Sequence, residues 1–416
     1  MEDRHAMSRV PATGTVSATG TVSDRLHALD LVRASALLLG ILFHASLSFY
    51  PGYDAWLAMD GARSWPIAWG GFALHSFRMA AFFLLAGFFG RMMLHRKGTK
   101  GFVRDRAKRI LAPLLVFWVP LLALYALAVV YAASVGALPR IEQAGPPQMD
   151  VNTIPLTHLW FLYVLLLFYV ATLALRAVAR LIDRDEKMRA GLDRLLAALL
   201  RLPLLLPILL ALPIALLCAL RPDWVEWWGI PTPDRGLLPN GTALTAYGLA
   251  FGLGWLAHGL KDGLSPLARF WALHLGTALA LTVAALVLCP APKLTPQLHG
   301  PEKLIFAALY ASMVWFWSLG LIGAALRFMT RESRAARYMA DSSYWLYIIH
   351  LPIIVALQAM VSHWPLPAEI KLPIILAIAM ALMLASYHWL IRYSFMGAWL
   401  NGRRAARTNL PAQPAG

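Results

Sequence analysis

Ten long apolar runs, separated by polar or basic stretches, divide this chain. They lie at residues 29–50, 66–92, 109–132, 158–180, 202–220, 241–260, 269–289, 303–326, 342–362 and 370–392. Each is about the length a helix needs to cross a hydrocarbon core, roughly 20 residues. A soluble surface helix would instead show one apolar stripe and one charged face. The pattern predicts an all-α, polytopic membrane protein: one bundle over residues 28–392. The run at 202–220 has the least definite shape, because Pro203, Pro207 and Pro213 can kink it. Before the bundle, Ala12-Thr-Gly-Thr-Val-Ser17 repeats as Ala18-Thr-Gly-Thr-Val-Ser23. Small polar residues of that kind cannot bury a core, so residues 1–27 are expected to be a disordered tail. Residues 393–416 are expected to form a second, cytoplasmic tail.

Composition agrees with the pattern. Of the 416 residues, 59% are hydrophobic and 14% charged, whereas a soluble domain carries about a quarter charged residues. Ten spans return both termini to one side. With that side cytoplasmic, the inner segments hold 27 Lys or Arg and the outer loops 7, as the positive-inside rule requires. The net charge of +16 is then topogenic, and the partner it implies is a lipid bilayer rather than nucleic acid. Half of the 16 tryptophans, Trp56, Trp65 and Trp228 among them, fall in or beside outer loops, as in an interfacial belt. The Trp224-Val-Glu-Trp-Trp228 loop suits such an anchor, or a platform for sugar rings. Cys218 and Cys289 both lie near the outer face; a disulfide is open to them, two free thiols fit better, and no metal-ligand spacing appears.

Polar residues inside the runs carry the chemistry, because each is costly in a membrane. Arg33 and His44 share the first run. Eleven residues apart, they fall within about 20° of one helix face and about 16 Å apart along it. Arg33 sits near the cytoplasmic surface, where snorkelling or a pairing with Asp30 competes with a binding role. His44 sits towards the outside. In the second run His75 and Arg78, three residues apart, share a face roughly 13 and 18 Å deep. His350 lies within the ninth run, preceded by Tyr344 and Tyr347, and His158 opens the fourth, where an interfacial cap is an equal alternative. None of the 21 acidic residues falls in the middle of a run. A cation pump or a paired-carboxylate enzyme would need one. The deep bases are therefore histidines and the deep fixed charge is positive, which suits an anionic or electron-rich ligand. A histidine can take a proton from a hydroxyl that attacks an activated acyl group, and arginines can bind the phosphates of its carrier. The basic loop Arg91–Arg109 lies on the cytoplasmic side for that task, or is simply topogenic.

Several segments, in order, resemble the acyltransferase-3 family of integral membrane acyltransferases. They are Arg33-x10-His44, Phe82-Phe83-Leu-Leu-Ala-Gly87-Phe88, Arg106-x-x-Arg109, His158-Leu-Trp160-Phe-Leu162 and Ser343-Tyr344-x-x-Tyr347-x-x-His350. Phe77-Arg78-Met79 resembles the subgroup that succinylates osmoregulated periplasmic glucans. The resemblance implies a multi-pass O-acyltransferase of a bacterial inner membrane. Its donor would be cytoplasmic acyl-coenzyme A, succinyl favoured and acetyl an alternative, and its acceptor a hydroxyl of a periplasmic glucan or related envelope glycan. No permanently bound cofactor and no metal are expected. His44 is then the expected catalytic base; Arg33, Arg106 and Arg109 bind the acyl donor; and His75, Arg78, His158, Tyr347 and His350 line the cavity. Acylation of another polysaccharide or a small molecule by the same fold is the nearest alternative. A glycan or acyl-precursor transporter is a more distant one.

Overall fold

The computed structural model describes residues 22–138, 152–329 and 333–401, with backbone alone at 22–27, 30, 33 and 401. Among them the regular structure is helical: α1 (Val22–Ser46), α2 (Trp65–Arg106), α3 (Ala112–Ser134), α4 (Trp160–Ile182), α5 (Lys187–Leu199), α6 (Leu205–Leu220), α7 (Gly241–Ala257), α8 (Leu267–Leu288), α9 (Gly300–Phe328), α10 (Arg334–Val361), α11 (Ala368–Ser386) and α12 (Phe395–Asn401). Each of the ten apolar runs falls on a helix of its own. By length and composition, six helical stretches suffice to cross a membrane: Trp65–Ser134, Thr157–Ile182, Leu267–Leu288, Gly300–Phe328, Arg334–Val361 and Ala368–Ile391. The first of these spans 70 residues and joins α2 to α3. Shorter apolar stretches are Ala34–Phe49 and Leu205–Leu220. α1 begins within the expected tail of 1–27, and α12 lies within that of 393–416; residues 1–21 and 402–416 lie outside the described residues.

Local chemistry accounts for the places where helices differ from the sequence pattern. The basic segment Arg91–Arg109, expected as a loop, is helical except at Gly98, whose φ of 65° breaks α2. A π-helical turn, Ala107–Leu111, then leads into α3. Pro203 stays outside α6, which starts at Leu205 with Pro207 in its first turn, where a missing N–H costs no helical bond.

α1, α2, α10 and the start of α4 line the site described below, Tyr125 of α3 borders its outer part, and α8 and α11 contribute no lining residue. In α9 and α10, 67% of the apolar window is buried, against 22% in α8 and 28% in α11. The outer helices turn apolar side chains outward: Leu115, Val116, Val119, Leu127 and Val130 on α3 are 54–65% exposed. A surface of that kind needs hydrocarbon around it. α2 and α7 approach backbone to backbone at Gly87 and Gly254. A Cβ at Gly254 would lie 1.7 Å from the Leu84 carbonyl oxygen, so only glycine permits the contact.

The loops bury more than the sequence suggests. Trp224 and Trp227 are each 1% exposed, which corrects their placement in a belt or sugar platform; Trp228 alone of that loop faces a cavity. Glu226 lies under them and accepts backbone N–H bonds from Gln297 and Leu298, at 2.8 and 3.1 Å. Cys218 and Cys289 are free and buried. Lys371, at the start of the run 370–392, is 1% exposed and pairs with Asp60.

Candidate active site

His44 occupies the last turn of α1, where helical carbonyls run out of backbone partners. The Gln358 side chain on α10 supplies them, its Nε2 donating to the carbonyls of His44 and Ala45 at 2.9 and 3.0 Å. The Gln358 Oε1 accepts the indole N–H of Trp56 at 2.8 Å. The Trp56 ring in turn stacks on the His44 imidazole, 5.8 Å between centroids. Backbone and ring of His44 are thus both held.

α10 also fixes which nitrogen of His44 is free. His350 Nδ1 lies 2.6 Å from the Tyr347 carbonyl, which can only accept, so this nitrogen carries the proton. In the neutral ring His350 Nε2 is then an acceptor. It stands 2.9 Å from His44 Nδ1, which must donate to it. His44 Nε2 is left with its lone pair and with no partner among the described residues. These proton positions follow from the network rather than from observed hydrogens.

A proline places the third histidine. Pro352 has no N–H, so the Ile348 carbonyl one turn earlier has no helical donor. His158 Nε2 donates to it at 2.9 Å. The Tyr347 hydroxyl returns a bond to the His158 carbonyl at 2.6 Å. His75 on α2 donates through Nε2 to the Trp228 carbonyl at 3.1 Å and stacks on Phe43, 4.7 Å between centroids.

These groups line two adjoining chambers. The inner, about 620 Å³, is walled by Ala36, Gly40, Met79, Phe82, Phe161 and Tyr347, with Arg78 as its cation. The outer, about 810 Å³, is bounded by Tyr53, Trp56, Tyr125, Trp228 and Asp234. His44, His75 and His158 belong to both, so His44 stands at their junction. Arg78 is 8% exposed, lies 4.8 Å from the Phe43 ring centroid, and has no hydrogen bond or ion pair among the described residues. Gly40 makes room for it, since a Cβ there would come within 2.8 Å of Arg78 Nη1.

The structure brings His44, His75, Arg78, His158, Tyr347 and His350 together around the inner chamber. Arg106 and Arg109 line neither chamber. With Lys97 they converge on Asp105, at 2.6, 3.3 and 2.5 Å, and Arg106 also lies over the Phe102 and Tyr169 rings. Burial raises the Asp105 pKa, but the Lys97 hydrogen bond and the two guanidinium charges outweigh it and hold the carboxyl below its usual range. Three cations share one anion, leaving positive charge in excess. Arg33 is on α1, but its side chain lies outside the described residues. Sequence reasoning missed Gln358, although it is the lone amide in an apolar run and sits just over two turns after His350. Trp56, Gly40, Thr232 and Asp234 gave no comparable signal.

Comparison with known proteins decides the family. Residues 26–391 match the family model Acyl_transf_3, an acyltransferase domain. The chain belongs to the acyltransferase-3 family. Its relatives include "Glucans biosynthesis protein C" of Salmonella schwarzengrund, Salmonella typhi and Salmonella typhimurium, each 30% identical over 174 residues, 41% of this chain and 41% of the relative. The match thus spans about two-fifths of the length of these relatives. No solved structure matches. In this acyltransferase-3 chain the family match runs from α1 to the end of the π-helical turn after α11, and so includes every residue lining the two chambers.

Proposed function

We propose that this chain is a membrane O-acyltransferase that moves an acyl group from cytoplasmic acyl-coenzyme A to a hydroxyl of an extracytoplasmic glycan. Ten of its helices cross the bacterial inner membrane and both termini are cytoplasmic. What supports this most is the bond chain from Tyr347 through His350 to His44, which leaves the His44 Nε2 lone pair between two chambers. The thioester enters from the inner chamber and the acceptor from the outer. His44 Nε2 takes the proton as the hydroxyl oxygen attacks the thioester carbonyl. The tetrahedral intermediate collapses, the carbon–sulfur bond breaks, and the imidazolium returns the proton to the departing thiolate. The products are a glycan ester and free coenzyme A. The excess positive charge of Lys97, Arg106 and Arg109, with Arg33, serves the phosphates of the donor.

Arg78 favours succinyl over acetyl. A buried guanidinium without an anion is a standing cost, and a dicarboxylic acyl group brings the missing carboxylate. The acceptor is a periplasmic glucan, in keeping with the name of the Salmonella relatives. Arg78→Met is expected to lower succinyl transfer by about tenfold or more relative to acetyl transfer. Rates with the two acyl-coenzyme A donors check this, and an unchanged ratio would remove Arg78 from donor choice. Mass spectrometry of periplasmic glucans from cells with and without the protein tests the whole assignment. Loss of the succinyl mass increment is the expected result; an acetyl increment, or a loss confined to another polysaccharide, would reassign donor or acceptor.

A further inference from the structure

The outer chamber contains groups that the transfer step leaves unused. Aromatic rings of Tyr53, Trp56, Tyr125 and Trp228 wall it. Two of these rings are fixed by their indole N–H groups: Trp56 to Gln358 at 2.8 Å and Trp228 to the Lys293 carbonyl at 3.1 Å. Tyr53 and Trp228 also pack together, 4.6 Å between centroids. Their faces, rather than their polar edges, are what the chamber has to offer.

Histidines aside, Asp234 is the charged side chain among the residues lining this chamber. Its carboxylate makes no hydrogen bond or ion pair with another residue among those described. The loop that carries it is tied down by its backbone. Pro231 and Pro233 flank Thr232, the Asp234 carbonyl accepts Leu156 N–H at 2.9 Å, and Gly236 N–H donates to Ile154 at 2.9 Å. Beside Leu156, Thr157 has a φ of 49°. Such a left-handed conformation is an outlier for a β-branched residue, and strain of this kind clusters at ligand sites. Thr157 and Thr232 both line the chamber, and neither hydroxyl has a partner among the described residues.

Fixed aromatic faces suit the C–H faces of a pyranose. A free carboxylate and two hydroxyls suit its ring hydroxyls, and the charged acceptor makes the stronger bonds. The same carboxylate repels an anionic ring. Charge is sorted across His44, with the cation on the inner side and the anion on the outer.

We infer that the outer chamber is the acceptor subsite for an uncharged pyranose, held by Asp234 and stacked on Trp228, and that it rejects uronic or phosphorylated rings. This rests on the acyl-transfer reading above. The test uses the full chain in nanodiscs with a neutral gluco-oligosaccharide and a uronic-acid oligosaccharide of equal length. Asp234→Ala and Trp228→Ala are expected to raise the acceptor KM about tenfold while leaving the acyl-coenzyme A KM unchanged. Asp234→Asn is expected to narrow the preference for the neutral chain. Isothermal titration of the two oligosaccharides reads binding without turnover. Neutral-chain binding that Asp234→Ala weakens supports the subsite even if no acyl group moves, an outcome that would defeat only the transfer reading. Equal binding of both oligosaccharides, or affinities and KM values unchanged in all three variants, would overturn the subsite.

Discussion

His44→Ala and His44→Gln lower acyl transfer by about 10²–10⁴-fold, the usual contribution of a positioned general base. Membrane levels of the protein stay normal, because His44 is half-buried and borders open chambers rather than filling a core. His350 acts through His44 and is a positioning residue. Without it, His44 Nδ1 has no acceptor, and the ring is free to adopt the tautomer whose Nε2 is protonated. His350→Phe therefore lowers kcat by roughly 10–100-fold with little change in acyl-coenzyme A KM, and His350→Asn, whose amide oxygen can accept from Nδ1, recovers part of it. A packing role would predict the reverse order, since phenylalanine fills the space better than asparagine. Full activity in both His44 variants would end the base assignment.

Lys371→Met destabilises the protein by about 3–5 kcal/mol, because it leaves the Asp60 carboxylate buried and unpaired. Lys371 Nζ bonds both Asp60 oxygens at 2.8 Å, and the Ser362 carbonyl at 3.3 Å. Asp60 Oδ1 also accepts the Ala62 N–H at 2.8 Å. Each side chain is 1% exposed. The pair fastens the loop after α1, which carries Trp56, to the start of α11. Loosening it frees the ring that stacks on His44, so activity falls as well. The double variant Asp60→Leu with Lys371→Met is expected to be more stable than either single variant, since no unpaired charge remains. Thermal unfolding in detergent checks this, and additive losses would show that the pair is not coupled.

The helices were legible because nearly continuous apolar runs leave a chain no other way to satisfy its backbone in lipid. Much of the site was legible for the same reason: a polar residue in such a run is conspicuous, and His44, His75 and Arg78 could be ranked by depth. What depth could not supply was helix contact. His44 and His350 lie 306 residues apart, and nothing in either run says that α1 rests on α10. Nor could it show that Pro352 frees a carbonyl for His158. The loops misled most. The Trp224–Trp228 segment reads as interfacial, yet Trp224 and Trp227 are buried, and Lys371, in an apolar run, is buried against an anion. Their partners, Asp60 and the contacts of Glu226, are distant in sequence. Arg106 and Arg109 had a closer partner, Asp105, within the same basic segment, and the count of positive charge hid it.

Transfer from one side of the bilayer to the other is what separates this reaction from acylation on a single face. In proteoliposomes of the full chain, acyl-coenzyme A is supplied outside and a neutral glucan is trapped inside. Acylated glucan is then recovered from the lumen, in amounts that depend on His44. Transfer across the bilayer is expected, and it is lost in His44→Gln with acyl-coenzyme A binding retained. Acylation only when donor and acceptor share one side, or lumenal product undiminished in His44→Gln, would contradict it.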